Sequence, residues 1–253
     1  MEWYWTLTIV LSVVLIMFLL SWLFYRQFFK RFWDIVLSAL AIVFLFPFFL
    51  VLSFLGFIFM KGNPFFVQKR PGKKSRDGTE KLFNLIKFRT MSNEKNDSGN
   101  PLPDNLRLNK YGKFLRETSL DELPELFNVF LGDMSIIGPR PQLVRDMVFM
   151  TERQRHRHDI RPGLSGLAQV NGRNNISWER KFEYDLEYLE NISLFGDIVL
   201  VFKTAIKVFE RADTVREGTE SDIDFGDWLL YEGKVTKEEY DNKQIDAKVI
   251  ING

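Results

Sequence analysis

The chain has 253 residues, with 34 Lys and Arg against 33 Asp and Glu, 46% hydrophobic and 15% aromatic residues, no Cys and two His. That length suffices for one or two domains with a real core, and a formal charge of +1 gives no whole-chain sign of nucleic-acid binding. The absence of Cys excludes disulfides, thiolate catalysis and Cys-ligated zinc or iron-sulfur centres.

The averages hide a division of the chain. No charged residue occurs from Trp3 to Tyr25 or from Ile35 to Met60, and 14 of the 25 Phe precede Val67. Runs of 23 and 26 residues exceed the roughly 20 that cross a bilayer core. Glu2 at the very start and the lack of a small-residue cleavage site argue against a cleaved signal peptide. The composition therefore marks 1–27 as an N-terminal hydrophobic helix and 28–61 as a second membrane segment. Arg26, Lys30 and Arg31 lie between the runs, and Lys61, Lys69, Arg70, Lys73, Lys74 and Arg76 follow the second. Basic flanks favour the cytoplasmic side, so both ends of the second run ask to be inside. Pro47, near its middle, removes a backbone donor and clashes one turn back, which predicts two half-helices in a re-entrant hairpin. An ordinary kinked two-helix hairpin is the alternative. Asp34 is placed at the interface, paired with Lys30 or Arg31 on one helical face.

Residues 62–216 read as a compact, mixed unit. Apolar-rich stretches at 64–70 and 81–91 flank a Lys73 to Gly78 turn and predict a small hairpin, and 93–105 is a loop. Leu123, Leu126, Phe127 and Phe130 repeat as one face of a helix, as do Trp178, Phe182, Leu186 and Leu189. His156 and His158, two residues apart, point in different directions on a helix and are read as solvated. From Ile192 to Phe209 an apolar helix carries Lys203, Lys207 and Arg211 in one stripe. That pattern suits either a helix at the membrane surface or a buried helix with a solvated basic edge. Residues 217–253 hold ten acidic and four basic residues, net −6, which leaves 30 minus 23, or +7, on residues 1–216. A basic body suits an anionic leaflet and phosphate-bearing substrates. The acidic tail is expected to be flexible, with a short amphipathic piece around Trp228 to Tyr231.

The candidate chemistry lies between Arg116 and Asn128. Pro124 belongs in the first turn of a helix, so that helix begins near Asp121, where free N–H groups favour an anion. A carboxylate kept ionised there is able to act as a nucleophile or to hold Mg2+. Adjacent acids at a helix start also serve simply as caps. Arg140, stiffened between Pro139 and Pro141, reads as a phosphate clamp or as a solvated Arg in a terminating turn. Arg161-Pro-Gly163 to Gly172-Arg173 is a glycine-punctuated loop whose backbone is able to approach a ligand closely.

Taken in order, these runs carry a resemblance. Lys30-Arg31-x-x-Asp34, the Pro47-broken helix, Gln68-x-Arg70-Pro71-Gly72, Lys87-Phe-Arg-Thr-Met91, Ser119-Leu-Asp121-Glu122-Leu, Gly132-Asp-Met-Ser135, Gly138-Pro-Arg-Pro141, Arg161-Pro-Gly163 and Gln169-Val-Asn-Gly-Arg173 resemble the bacterial sugar transferases, the monotopic phosphoglycosyl transferases, over roughly residues 28–211. Phe46 departs from the Ser common before the breaking Pro, and Leu167 from a frequent aromatic. The resemblance implies an α+β membrane-associated fold: a re-entrant helix anchored by Lys30, Arg31, Asp34 and Pro47, an extra N-terminal helix, and a small helix-rich domain with short strands and interfacial amphipathic helices. It implies transfer of a sugar-1-phosphate from a UDP-sugar to undecaprenyl phosphate with release of UMP, at the cytoplasmic face of the bacterial inner membrane, among membrane lipids and without nucleic acid. Asp121 would be the nucleophile and Mg2+ ligand, Glu122 its supporting partner, and Lys87, Arg116 and Arg140 the phosphate-binding residues. The sugar and the oligomeric state stay open. The competing class is a non-enzymatic scaffold whose basic body binds anionic lipid.

Overall fold

The computed structural model describes residues 2–96, 98–100, 102–172, 176–209 and 223–252. Helix α1, Glu2–Leu23, and helix α2, Lys30–Phe59, are joined by a π-helical turn, Tyr25–Phe29. Both are long and apolar enough to cross a membrane. Most of α1 is exposed, as expected of a helix that is apolar all round and whose solvent is lipid. The chain stays helical through Pro47, so no non-helical break separates the two halves of α2.

The N-terminal end of α2 is fixed by partners distant in sequence. Asp34 does not pair with Lys30 or Arg31; it is buried and accepts the N–H of Ile136 at 2.9 Å. Arg31 donates to the carbonyls of Val129 and Phe130 at 2.6 and 2.8 Å. Those carbonyls lie in the last turn of the helix Glu125–Leu131, α4, where carbonyls lack a full set of intrahelical partners; that of Val129 also accepts from Gly132 at 3.2 Å. Lys30 reaches Asp197 at 2.5 Å, and the same carboxylate accepts from the hydroxyls of Tyr25 and Tyr188 at 2.7 and 2.8 Å.

After α2 comes the expected hairpin, β1 (Phe65–Lys74) and β2 (Glu80–Phe88). The strands are antiparallel with Phe66 opposite Lys87, Gln68 opposite Leu85 and Arg70 opposite Phe83. Asp77, accepting from the N–H and hydroxyl of Thr79, closes the turn. Helix α3, Lys110–Glu117, is capped by Asn109, whose side chain accepts from Gly112 and donates to the carbonyl of Phe59. Gly112 admits no side chain, since a Cβ there would lie 1.8 Å from the Thr90 carbonyl oxygen. Helix α4, Glu125–Leu131, leads into β3, Ser135–Ile137, which runs parallel to β4, Gly163–Ser165. Helices α5, Trp178–Glu190, and α6, Leu194–Phe209, follow.

The core is not confined to the soluble part. Phe49, Leu52 and Met60 from α2 and its end form one cluster with Phe88, Tyr111, Leu115 and Leu126. Helix α6 turns Leu194, Asp197 and Leu200 inward and leaves Phe195, Ile198, Phe202 and Ile206 exposed. Phe195 meets Phe18 of α1 edge to face. An exposed apolar stripe of this kind suits an interfacial helix; Arg211, expected in its basic edge, lies outside the described residues.

Two further expectations are corrected. The tail's described part is not a loose segment: it forms α7, Phe225–Tyr231, and α8, Lys237–Asn252. Phe225 and Trp228 pack with Trp178, Phe182 and Met150, and Ala247 packs with Val144 and Met147. Residues 217–222 lie outside the described set. His158 is not solvated but buried, 3.3 Å from Glu80, and burial pushes its imidazole down to about 4. His156 is exposed and meets Asp159.

Candidate active site

The turn carrying Asp121 begins at Ser119, which adopts the left-handed conformation with φ of 56°. For a non-glycine residue this costs on the order of 1 kcal/mol and needs support from its surroundings. Leu120 and Leu123, packed against the core cluster shared with α2, supply it. Leu120–Glu122 form a single 3-10 turn. Asp121 therefore precedes α4 rather than capping it, and the N–H groups of Leu126 and Phe127 are taken by the carbonyls of Leu123 and Pro124. With those N–H groups engaged, the positive charge near this turn comes from side chains.

Those side chains arrive from three directions. Lys87, at the end of β2, places Nζ 2.8 Å from Glu122 and 3.0 Å from Glu125. Arg140 places Nη2 2.6 Å from the same Glu122 oxygen. Arg116, on α3, is held by Thr90 at 3.0 Å and adds to the positive field at Asp121. The Arg140 turn is itself rigidly hung. Its carbonyl accepts from Arg157, a buried residue paired with buried Asp185 at 2.7 Å, and the Pro139 carbonyl accepts from Gly163. Gly163 and Gly166 serve this packing, since Cβ atoms there would lie 2.1 Å from backbone atoms of Gly138. The glycines expected to admit a ligand instead admit another stretch of backbone. Arg173 lies outside the described residues.

The dyad is electrostatically asymmetric. Burial opposes the charge on Glu122, yet Arg140 and Lys87 together hold its carboxyl well below the usual range. Asp121 has no ion pair or hydrogen bond among the described residues, and burial, then the neighbouring Glu122 charge, pushes it up to about 6. Glu125, fully buried one turn further on, is raised to about 7 by burial and by Glu122. Lys87 and Arg140 both remain firmly protonated, the first despite its burial and the second chiefly because of Glu122. One carboxylate is thus locked as a counter-ion, while the other is free and near the pH at which it ionises. Such a pair of environments divides the roles of adjacent acids.

Beside the dyad lies a cavity of about 170 Å3, lined among others by Arg70, Lys87, Glu125, Arg140, Gln142 and Asp224. A larger surface concavity of about 270 Å3 between Thr236 and Asp246 is lined by the α8 segment alone and lies apart from this cluster. The structure thus gathers Asp121, Glu122, Lys87, Arg116 and Arg140 around one turn, and puts Lys30, Arg31 and Asp34 at a separate junction. Sequence reasoning missed Arg70, Glu125, Arg157 and Asp224. Glu125 was legible as the i+4 neighbour of Asp121; the others depend on long-range packing. No cluster of three or more His, Asp or Glu arranged to hold a metal occurs among the described residues. Mg2+ asks for less, binding through one or two carboxylates, water and substrate phosphates, and unpaired Asp121 fits that requirement.

Residues 25–211 match the bacterial sugar transferase family. The chain is 49% identical over 148 residues to an uncharacterised sugar transferase, EpsL, of Bacillus subtilis, covering 58% of this chain and 71% of that protein. It is 38% identical over 191 residues to a UDP-glucose:undecaprenyl-phosphate glucose-1-phosphate transferase of Klebsiella pneumoniae, covering 72% of this chain but only 40% of the relative. It is 35% identical over 193 residues to the exopolysaccharide production protein ExoY of Sinorhizobium fredii, covering 69% and 83%.

Proposed function

Because this chain belongs to the bacterial sugar transferase family, we propose that it transfers a sugar-1-phosphate from a UDP-sugar to undecaprenyl phosphate, as the first membrane step of surface glycan or glycoconjugate synthesis. The observation that carries this reading is the unpaired, ionisable Asp121 set among Lys87, Arg116 and Arg140. An Asp121 carboxylate oxygen attacks the phosphorus that bears the sugar; the bond from that phosphorus to UMP breaks, and UMP leaves. An oxygen of undecaprenyl phosphate then attacks the same phosphorus and breaks the bond to Asp121, giving the lipid diphosphate sugar. Splitting the transfer in two keeps the polyanions from crowding one site. Lys87, Arg116 and Arg140 hold phosphate oxygens, and Glu122 keeps Lys87 and Arg140 aimed at the reacting group. Asp121 is the residue that would hold Mg2+, which when bound would supply further neutralisation of phosphate charge.

The second half of the proposal concerns the membrane. We place the catalytic body at the cytoplasmic face of the inner membrane, with α1 spanning and α2 re-entrant. Both ends of α2 meet the same body: Arg31 at Val129 and Phe130, Phe49 against Phe127 and Leu52 bonded to Tyr111. From residue 31 to 49 a straight helix rises about 27 Å, whereas their partners lie within one turn of α4. That supports a helix that returns to the face it left. The exposed apolar face of α6 adds a surface for the headgroup region.

The test is UMP release by purified protein in detergent with Mg2+, undecaprenyl phosphate and a panel of UDP-sugars. We expect acceptor-dependent turnover with one or a few donors, lost by about 10^3-fold or more in Asp121→Asn. Equal release by Asp121→Asn, or none from folded wild type with any donor, would return the lipid-binding scaffold to the front.

A further inference from the structure

Arg70 differs from the other cations of the cavity in having no ion pair among the described residues. Its Nη1 donates to the carbonyl of Pro141 at 3.2 Å and its Nη2 to Gln68 at 2.7 Å, while the buried Nε has no partner. Burial and the nearby Arg140 hold its guanidinium down at about 10. The cavity so assembled carries Arg70, Lys87 and Arg140 against two lining carboxyls, Glu125 and Asp224, the first of which is already engaged by Lys87. A buried guanidinium with a spare donor and no ion pair among the described residues, its charge offset only by the more distant Asp146, Glu125 and Asp224, fits a phosphate group.

The hairpin register says which phosphate. Lys87 stands opposite Phe66, seven residues after α2 ends, and Arg70 stands opposite Phe83. Four residues along β2 amount to roughly 13 Å, directed away from the membrane helix. A lipid phosphate is confined to the headgroup level, on the Lys87 side; a soluble diphosphate arrives from the far end. There the wall is completed by Asp224, at the start of α7, whose Oδ2 is held by Arg145 at 2.8 Å and whose charge is felt by Arg70. Asp224 lies beyond residue 211, where the family match ends.

We infer that Arg70 is a phosphate-binding residue for the diphosphate of the nucleotide-sugar donor, and that the C-terminal segment tunes donor affinity through Asp224, an opposing charge in the same pocket. This rests on the transferase reading, but its test does not depend on turnover. The probe is UDP, titrated calorimetrically into full-length protein in detergent with Mg2+. Arg70→Gln weakens UDP binding about 10-fold, as expected for one lost charge-assisted contact, and Arg70→Lys recovers part of it. Asp224→Asn acts in the opposite direction, tightening UDP about 2- to 3-fold by removing a like charge. In turnover the Arg70 variants raise KM for the UDP-sugar and leave KM for undecaprenyl phosphate unchanged. Should Arg70→Gln fail to fold, Arg70→Lys decides. Unchanged UDP affinity in the Arg70 variants, or a KM change confined to the lipid, overturns the donor assignment. Unchanged or weaker UDP binding in Asp224→Asn reduces Asp224 to a structural partner of Arg145. Wild type that binds UDP through Arg70 yet releases no UMP removes the transferase reading while supporting the subsite.

Discussion

Asp197 and Asp121 are both carboxylates set near basic side chains, and the fold treats them in opposite ways. Asp197 is surrounded by donors, accepting from Lys30, Tyr25 and Tyr188, and ties the α1–α2 junction to α5 and α6. Asp121 accepts from no side chain or backbone group among the described residues, although three cations surround its turn. A saturated carboxylate holds elements together; an unsaturated one beside three cations is a candidate for chemistry.

Four experiments press on this contrast. The largest effect expected is on stability: Asp197→Ala leaves Lys30 without its buried partner and costs about 3–5 kcal/mol, read from denaturation in detergent. A loss within experimental error would show that the junction is held by apolar packing alone. Asp121→Asn goes the other way. The folded carboxyl ionises near pH 6 and the unfolded one near about 3.9, so the fold prefers the protonated form. The penalty is absent below the unfolded value, grows as pH rises, and is complete above the folded one. At neutral pH the Asn variant is therefore more stable, by on the order of 1 kcal/mol, while inactive. A lower melting temperature would mean that Asp121 has structural partners after all.

Third, kcat/KM for the donor falls about tenfold per pH unit below the Asp121 ionisation, centred near 6, and levels off above it. A profile flat from pH 5 to 7 would separate Asp121 ionisation from catalysis. The smallest change belongs to Glu125→Gln. Glu125 is raised to about 7, so near neutrality its neutral form is already populated, and the amide resembles it. Donor KM shifts within about 3-fold, and any inflection near pH 7 disappears; a drop as deep as that of Asp121→Asn would make Glu125 part of the reacting group.

Much of this was readable from local pattern. The β1–β2 hairpin follows from two apolar stretches around a Gly78 turn, and α5 and α6 from helical spacing of Trp178, Phe182 and Leu186 and from the long apolar run after Ile192. The gathering of Lys87, Arg116, Asp121, Glu122 and Arg140 was anticipated through ordered motifs, although nothing local distinguished locked Glu122 from free Asp121. That difference is set by which oxygen Lys87 and Arg140 reach. Residues whose roles rest on remote packing were misread. Asp34 was assigned helix neighbours but takes an N–H 102 residues away. His158 and Arg157 look like parts of a solvated basic segment, yet Glu80 and Asp185 draw them inside. Acidic composition suggested a loose tail, but Phe225 and Trp228, too few to form a core of their own, complete one around Trp178.

Because Phe49, Leu52 and Met60 stand in one cluster with Phe88, Leu115 and Leu126, the border between what is oily and what is water-facing does not coincide with the border of what folds. A fragment cut after residue 61 loses α2's contribution to that interior, and exchanging anchors between relatives amounts to redesigning a core. Leu120 and Leu123 rest on the same cluster and flank Asp121. The thickness and composition of the surrounding hydrocarbon thus become variables of the Asp121 turn, and a detergent chosen for yield is also a choice about the geometry of that carboxylate.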